Sequence, residues 1–173
     1  MPSESFEPFV PSAPLMPYRF ASLRWSDARA ISRWRYDGVY TFYDQDILPM
    51  LSLALFRSPL RMLGLEAFVV FGAIDEAYER IGIFTFIQRG GVIEIGLAMR
   101  PDLTGRGLGL SFVEAGLDFA RHRYAPTRFT LDVATFNVRA QRVYERAGFR
   151  PLDTFTRRFK GNRCEFLAMS RPA

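Results

Sequence analysis

The residues with the clearest chemical potential lie in one short run, Thr104-Gly105-Arg106-Gly107-Leu108-Gly109-Leu110, in which three glycines alternate with other residues. Glycine has no Cβ, so such a backbone can approach a ligand closely. Ahead of the run, Val92, Ile93, Ile95, Leu97 and Met99 predict an apolar strand. Pro101 ends it, because proline lacks the ladder's N–H and restricts the residue before it. After the run, Leu110, Val113, Leu117, Ala120 and Tyr124 recur at spacings of three and four, with Ser111, Glu114, Asp118 and Arg121 on the opposite face. That spacing predicts an amphipathic helix whose positive N-terminal end meets the glycine turn. Strand, turn and helix together make a cradle of backbone amides suited to a phosphate. The cradle is neither of two common nucleotide types, since no GK[ST] follows it and GRGLG is not GxGxxG. Nucleoside triphosphates and dinucleotides are therefore disfavoured.

Two other places carry polar groups on regular elements. Glu94 sits in the apolar strand ahead of the turn, and Asn137 opens the segment NVRAQRVYERAGF. Asn137 is a natural helix N-cap and Gly148 a natural stop. Tyr144 follows Asn137 by seven residues, about two helical turns, so the two share a helix face.

These stretches resemble the two signature motifs of the GNAT acetyltransferase superfamily. Glu94-Ile95-Gly96, Pro101 and Thr104 through Gly109 resemble its acetyl-CoA-binding motif, with Thr104 where the family prefers arginine or glutamine. Asn137 through Phe149 resembles the pattern N-x-x-A-x-x-x-Y-x-x-x-G-F at every fixed position. The resemblance runs from Phe68 to Met169 and extends more loosely over Tyr18 to Tyr43. It implies transfer of an acetyl group from acetyl-CoA, as co-substrate, to a primary amine by direct attack in a ternary complex. The amine would belong to a small molecule or a protein N-terminus.

The resemblance also implies roles. Amides of Gly105, Arg106, Gly107, Gly109 and Leu110, beside Thr104, would hold the pyrophosphate. Leu97, Ala98 and Met99 would offer a strand edge to the pantetheine arm, opened by a split in the sheet beside Gly96. The Leu97 amide would sit near the reacting carbonyl. Asn137 would fix the cofactor arm and Tyr144 would protonate the departing thiolate. An alkyl amine has a pKa of roughly 10, so Glu94 or a water chain would take its proton. Trp34, Tyr36, Tyr40, Phe42 and Tyr43 fall where the family's acceptor pocket lies, and homodimers are common in the family. A second reading is a non-catalytic acyl-CoA-binding sensor or interaction domain on the same fold.

The rest of the chain must position these groups. At 173 residues with 49% hydrophobic content it is long and apolar enough for one packed domain. Five prolines in Met1–Pro17 predict a flexible arm, leaving 18–173 as the domain. A strand over Tyr18–Trp25 precedes a helix capped by Ser26 or Asp27 that runs to about Tyr36. A second short helix follows from Asp46 to about Phe56, and then a loop over Pro59–Gly64. AFVVFGAID and RIGIFTFIQ predict a hairpin, with Gly72 and Gly82 as bulges or points of close approach, and Arg89-Gly90-Gly91 turns the chain into the organising strand. Arg128–Thr135 predicts another strand, and Phe149–Phe159 pairs with Asn162–Met169 around Lys160-Gly161. Periodicity alone gives an α/β or α+β domain with a mixed sheet. The resemblance sharpens this to a GNAT-like α+β arrangement in three layers, its mixed, mostly antiparallel sheet flanked by helices.

Composition excludes several classes. The net charge of +5 suits an anionic ligand, but the basic residues are spread along the chain and the aromatics fall at core spacing, which disfavours nucleic acid. One cysteine and one histidine leave no internal disulfide and no zinc cluster, so no metal is expected and a reducing, cytoplasmic home is. The longest apolar runs are too short to span a bilayer.

Overall fold

A computed structural model of the chain describes residues 18–22, 25–44, 68–74 and 79–173. The expected N-terminal arm, the second short helix at 46–56 and the loop at 59–64 lie outside the described residues. The described strands are β1 (Arg19–Ser22), β2 (Phe68–Ile74), β3 (Arg80–Arg89), β4 (Val92–Met99), β5 (Arg128–Ala134), β6 (Arg150–Phe159) and β7 (Asn162–Pro172). The helices are α1 (Trp25–Ile31), α2 (Gly109–Tyr124) and α3 (Val138–Arg146), with short 3-10 turns at Gly38–Tyr43 and Pro101–Leu103.

The strands form one sheet in the order β1-β2-β3-β4-β5-β7-β6. All neighbours are antiparallel except β4 and β5. Turn chemistry sets the hairpins. Lys160 and Gly161 have φ of 50° and 81°, the positive pair that a tight two-residue hairpin turn requires. Gly90 has φ of 59° between β3 and β4. The β2–β3 register slips at Ile81, next to Gly82, where a Cβ would lie 2.3 Å from the Phe112 ring. Gly82 is thus a point of close approach beside a bulge, while Gly72 pairs in register with Ile83.

β4 is treated differently along its two halves. It pairs with β3 over its whole length, from Val92 with Arg89 to Met99 with Gly82. It pairs with β5 only at Val92, Ile93 and Glu94. From Ile95 onward the two strands part, and the sheet is split beside Gly96.

The core lies between the sheet and α2. Alternation along β3 sends Phe84 and Phe86 to the α2 face and Ile81, Ile83 and Thr85 to the other. Phe84 stands 4.6 Å from Phe112, and Phe20 of β1 stacks 4.5 Å from Phe119. The buried face of α2 is wider than the predicted stripe, since Phe112, Ala115, Gly116 and Phe119 join Val113, Leu117 and Ala120. On β5, Phe129, Leu131 and Val133 are all buried, as the alternation predicts.

Helix α1 differs from expectation. It begins at Trp25 and ends at Ile31, so Asp27 lies inside the first turn, where it pairs with Arg80 at 2.7 Å instead of capping. After Ile31 the Ser32 hydroxyl donates to the Arg29 carbonyl at 2.9 Å, a local bond that competes with the helical ladder. The chain turns away there and delivers Trp34 and Tyr36 to a cavity.

The contact between α2 and β3 depends on Gly116, where a Cβ would lie 2.1 Å from the Phe84 ring. Gly116→Ala should therefore force the helix off the sheet and lower stability by about 1–3 kcal/mol, read from urea denaturation.

Candidate active site

Two cavities meet where β4 and β5 part. One, of about 380 Å³, lies on the α1 side and is lined by β4 from Ile95 to Met99, by Trp34, Tyr36, Tyr40, Phe42 and Tyr43, and by residues of β5, β6 and β7. The other, of about 650 Å³, lies between the glycine turn and α3. Leu97, Met99, Thr104, Asn137, Arg139, Ala140 and Tyr144 line both. These seven residues mark the passage through the split.

The split leaves backbone groups of β4 without a strand partner. The Arg100 amide donates to Ile81 of β3 at 2.7 Å, whereas the Met99 carbonyl accepts from the Tyr36 hydroxyl at 2.7 Å. Backbone direction alternates along a strand, so Leu97 points with Met99 into the split while Ala98 points toward β3. Leu97 therefore offers its N–H and C=O to whatever enters. Burial holds the Tyr36 phenol protonated well above its ordinary range; nearby Asp44 adds to this and Arg139 opposes it.

The second cavity gathers backbone amides and basic side chains. Gly105 and Gly107 have φ of 78° and 80°, and a Cβ at either would meet nothing within 4 Å. No side chain caps α2 at Leu108, which leaves the first-turn amides available to a ligand. Thr104, Gly105, Gly107, Gly109 and Leu110 line this cavity, while Arg106 is exposed and does not. The Thr104 hydroxyl is engaged with the Pro101 carbonyl at 2.7 Å. Arg139, Arg142 and Arg146 of α3 also line it. Sequence reading missed these arginines, although their spacing of three and four residues places them on one helix face.

Helix α3 aims the tyrosine. Asn137 caps it by accepting from the Ala140 amide at 3.2 Å, and its side-chain amide donates to the Tyr43 hydroxyl at 3.1 Å. At the other end Gly148 has φ of 84°; its amide donates to Glu145 and the Phe149 amide to Tyr144, each at 2.9 Å. This is a Schellman closure, and its usual apolar contact is the Tyr144 ring against Phe149, 6.1 Å apart and edge-on. The Tyr144 ring is thereby braced at the C-terminal end of the helix by Phe149. Among the described residues nothing hydrogen-bonds its hydroxyl. Burial, reinforced by Tyr43, keeps that phenol protonated well above the ordinary phenol range.

Glu94 is placed apart from these groups. It lies in the paired half of β4, opposite Ile87 and Thr130, and faces Arg89 at 3.5 Å. It lines neither cavity. It shares a strand face with Gly96, about 7 Å away along the strand, so any proton path from the first cavity to Glu94 needs water between.

A split strand edge, an uncapped helix end with positive-φ glycines, and three arginines fit the amide arm and phosphates of acetyl-CoA. Such a fold and site define an acyltransferase. The acetyltransferase (GNAT) domain matches residues 18–150, and the chain belongs to that family. No curated protein matches it in sequence. Among solved structures, it is similar to spermidine N-acetyltransferase from Vibrio cholerae in complex with CoA and spermine, at 18% identity over 90% of this chain and 95% of that one, with a TM-score of 0.71. A dodecameric structure of the Vibrio cholerae enzyme, at 18% identity over 90% and 94% of the two chains, gives a TM-score of 0.65. A chimera of that enzyme with hSSAT gives 0.66, at 21% identity over 89% and 94%. At such identities the likeness is one of fold. Among the described residues no group of three or more His, Cys, Asp or Glu side chains gathers, and no helix is long and apolar enough to cross a membrane.

Gly107→Ala should weaken CoA binding by about tenfold in calorimetry. An L-residue at that φ costs about 1–2 kcal/mol, which the loop relieves by withdrawing its amides. Gly161→Ala, with φ of 81° in the distant β6–β7 turn, should cost similar stability and leave CoA affinity unchanged.

Proposed function

We propose that the protein is an N-acetyltransferase that moves the acetyl group of acetyl-CoA to a primary amine by direct attack in a ternary complex. The observation that carries this reading is the meeting of two cavities at Leu97, Asn137 and Tyr144, one built for an anion and the other walled by aromatic rings. Acetyl-CoA supplies an activated thioester acetyl group when bound. The amides of Gly105, Gly107, Gly109 and Leu110 hold its pyrophosphate, with Thr104 and Arg106 flanking them and Arg142 and Arg146 adding charge. The Leu97 C=O pairs with the pantetheine arm and the Met99 N–H continues that edge, while Ala98 supports it from the β3 side; the Leu97 N–H polarises the thioester carbonyl. Asn137 keeps α3 capped and its first turn fixed beside the arm.

The transfer balances as one N–C bond formed and one C–S bond broken. The amine loses a proton and the CoA sulfur gains one. Tyr144 donates to the sulfur, and its raised pKa keeps it protonated throughout the working range. The amine's proton leaves through water toward Glu94 or directly to solvent. The acceptor is a small molecule or a peptide N-terminus, and the domain over 18–173 works in the reducing cytoplasm, alone or as a homodimer. A non-catalytic acyl-CoA sensor would share the cradle, but it would have no need of a phenol held at the junction of two cavities.

Acetyl-CoA and CoA should each raise the unfolding midpoint while NAD and ATP leave it in place; ligand at a hundred times Kd adds about 2.7 kcal/mol. Tyr144→Phe should lower kcat by about 10²-fold with little change in the KM for acetyl-CoA. An unchanged kcat would remove the acid role, and no midpoint shift would remove the enzyme reading. The kcat of the unaltered enzyme should rise with pH as the amine deprotonates. A fall due to Tyr144 should come only above pH of about 10, because its pKa is raised above that ordinary phenol value.

A further inference from the structure

The first cavity carries a chemical signature that differs from what a polycation needs. Its aromatic wall is arranged around Phe42, whose ring stands 4.5 Å from Phe159 in a stack and 5.0 Å from Tyr43 edge-on. Trp34, Tyr40 and Phe166 extend that wall. At about 380 Å³ the space suits a ligand the size of one or two aromatic rings.

Aromatic faces can also bind ammonium groups, so charge has to decide between an aromatic body and a chain of amines. The charged residues that line the cavity, among those described, are Asp132, Arg139 and Arg157. Asp132 is already paired with Arg157 at 3.1 Å. The two arginines also occupy ring faces: Arg157 lies 4.0 Å from the centroid of Phe166 and Arg139 lies 4.3 Å from that of Tyr40. A second ammonium would therefore meet two guanidinium groups, one neutralised carboxylate and two ring faces that are taken.

We propose that the acceptor is a monoamine carried on an aromatic body, an arylalkylamine whose reacting nitrogen is its only cation, and that polyamines are excluded by charge. This rests on the acetyltransferase reading above. The ring packs against Phe42 and its neighbours, and the amine points through the split toward Leu97 and Tyr144. The N–C bond forms there as the C–S bond breaks, one proton leaves the amine, Tyr144 supplies one to sulfur, and the products are the N-acetyl amine and CoA.

The test compares 2-phenylethylamine with spermidine on the full chain. Binding of each amine to CoA-saturated protein is measured by calorimetry, and acetylation by release of CoA thiol. The aromatic amine should show a kcat/KM at least tenfold higher. Arg157→Gln, which frees the Asp132 carboxylate, should raise kcat/KM for spermidine about tenfold, a gain that simple loss of packing would not produce. Equal or better use of spermidine by the unaltered protein, binding of neither amine to the CoA-loaded protein, or no gain in Arg157→Gln would overturn the proposal while leaving the acetyltransferase reading in place. Failure of CoA itself to bind would remove both.

Discussion

The parting of β4 from β5 after Glu94 is the constraint on which the site depends. A strand whose outward N–H and C=O groups lack partners is costly to bury, because each such group forfeits a hydrogen bond it had in water. The fold meets that demand in two ways. At Met99 it answers from within, with the Tyr36 hydroxyl closing the carbonyl. At Leu97 the backbone faces the open split. The single parallel pairing in the sheet is where the opening begins, so the topology and the binding edge have one cause.

What keeps the gap open is the packing behind it. Gly82 and Gly116 let Phe112 and Phe84 interleave across the α2–sheet interface without a methyl between them. That contact sets the height of α2 over β3 and β4, and hence the position of the helix N-terminus relative to the open edge. The amide cradle and the strand edge are thus held in register by ring packing, helped by one side-chain bond in the first turn of α2, between the Ser111 and Tyr18 hydroxyls at 3.3 Å.

Much of this was legible in the residues. Alternation gave β5, glycine and lysine in a two-residue turn gave the last hairpin, and Asn137 with Gly148 bracketed α3, because those signals are local. The seven-residue spacing of Asn137 and Tyr144 put both at the junction for the same reason. Other features were decided by distant contacts. Helix α1 stops five residues short of Tyr36 because Trp34 and Tyr36 are drawn into the cavity. Glu94 shares a strand with Leu97, yet lies in the half that stays paired, and one strand's sequence does not reveal where its neighbour departs. Arg139, Arg142 and Arg146 read as an ordinary solvated helix face until α2 is placed opposite them. Gly116 looks like a neutral helix residue until Phe84 is found against it.

The Schellman closure at the end of α3 has a further meaning for how the protein fails. Phe149, which braces the Tyr144 ring, is also the residue that leads into β6, and Arg171 of β7 donates to the Ala147 carbonyl at the same corner. Helix, strand and phenol are therefore one mechanical joint. The end of α3 cannot fray without releasing the Tyr144 ring, so the order of the junction between the two cavities is a gauge of the local stability of this corner, and it is set by a few residues that line neither cavity.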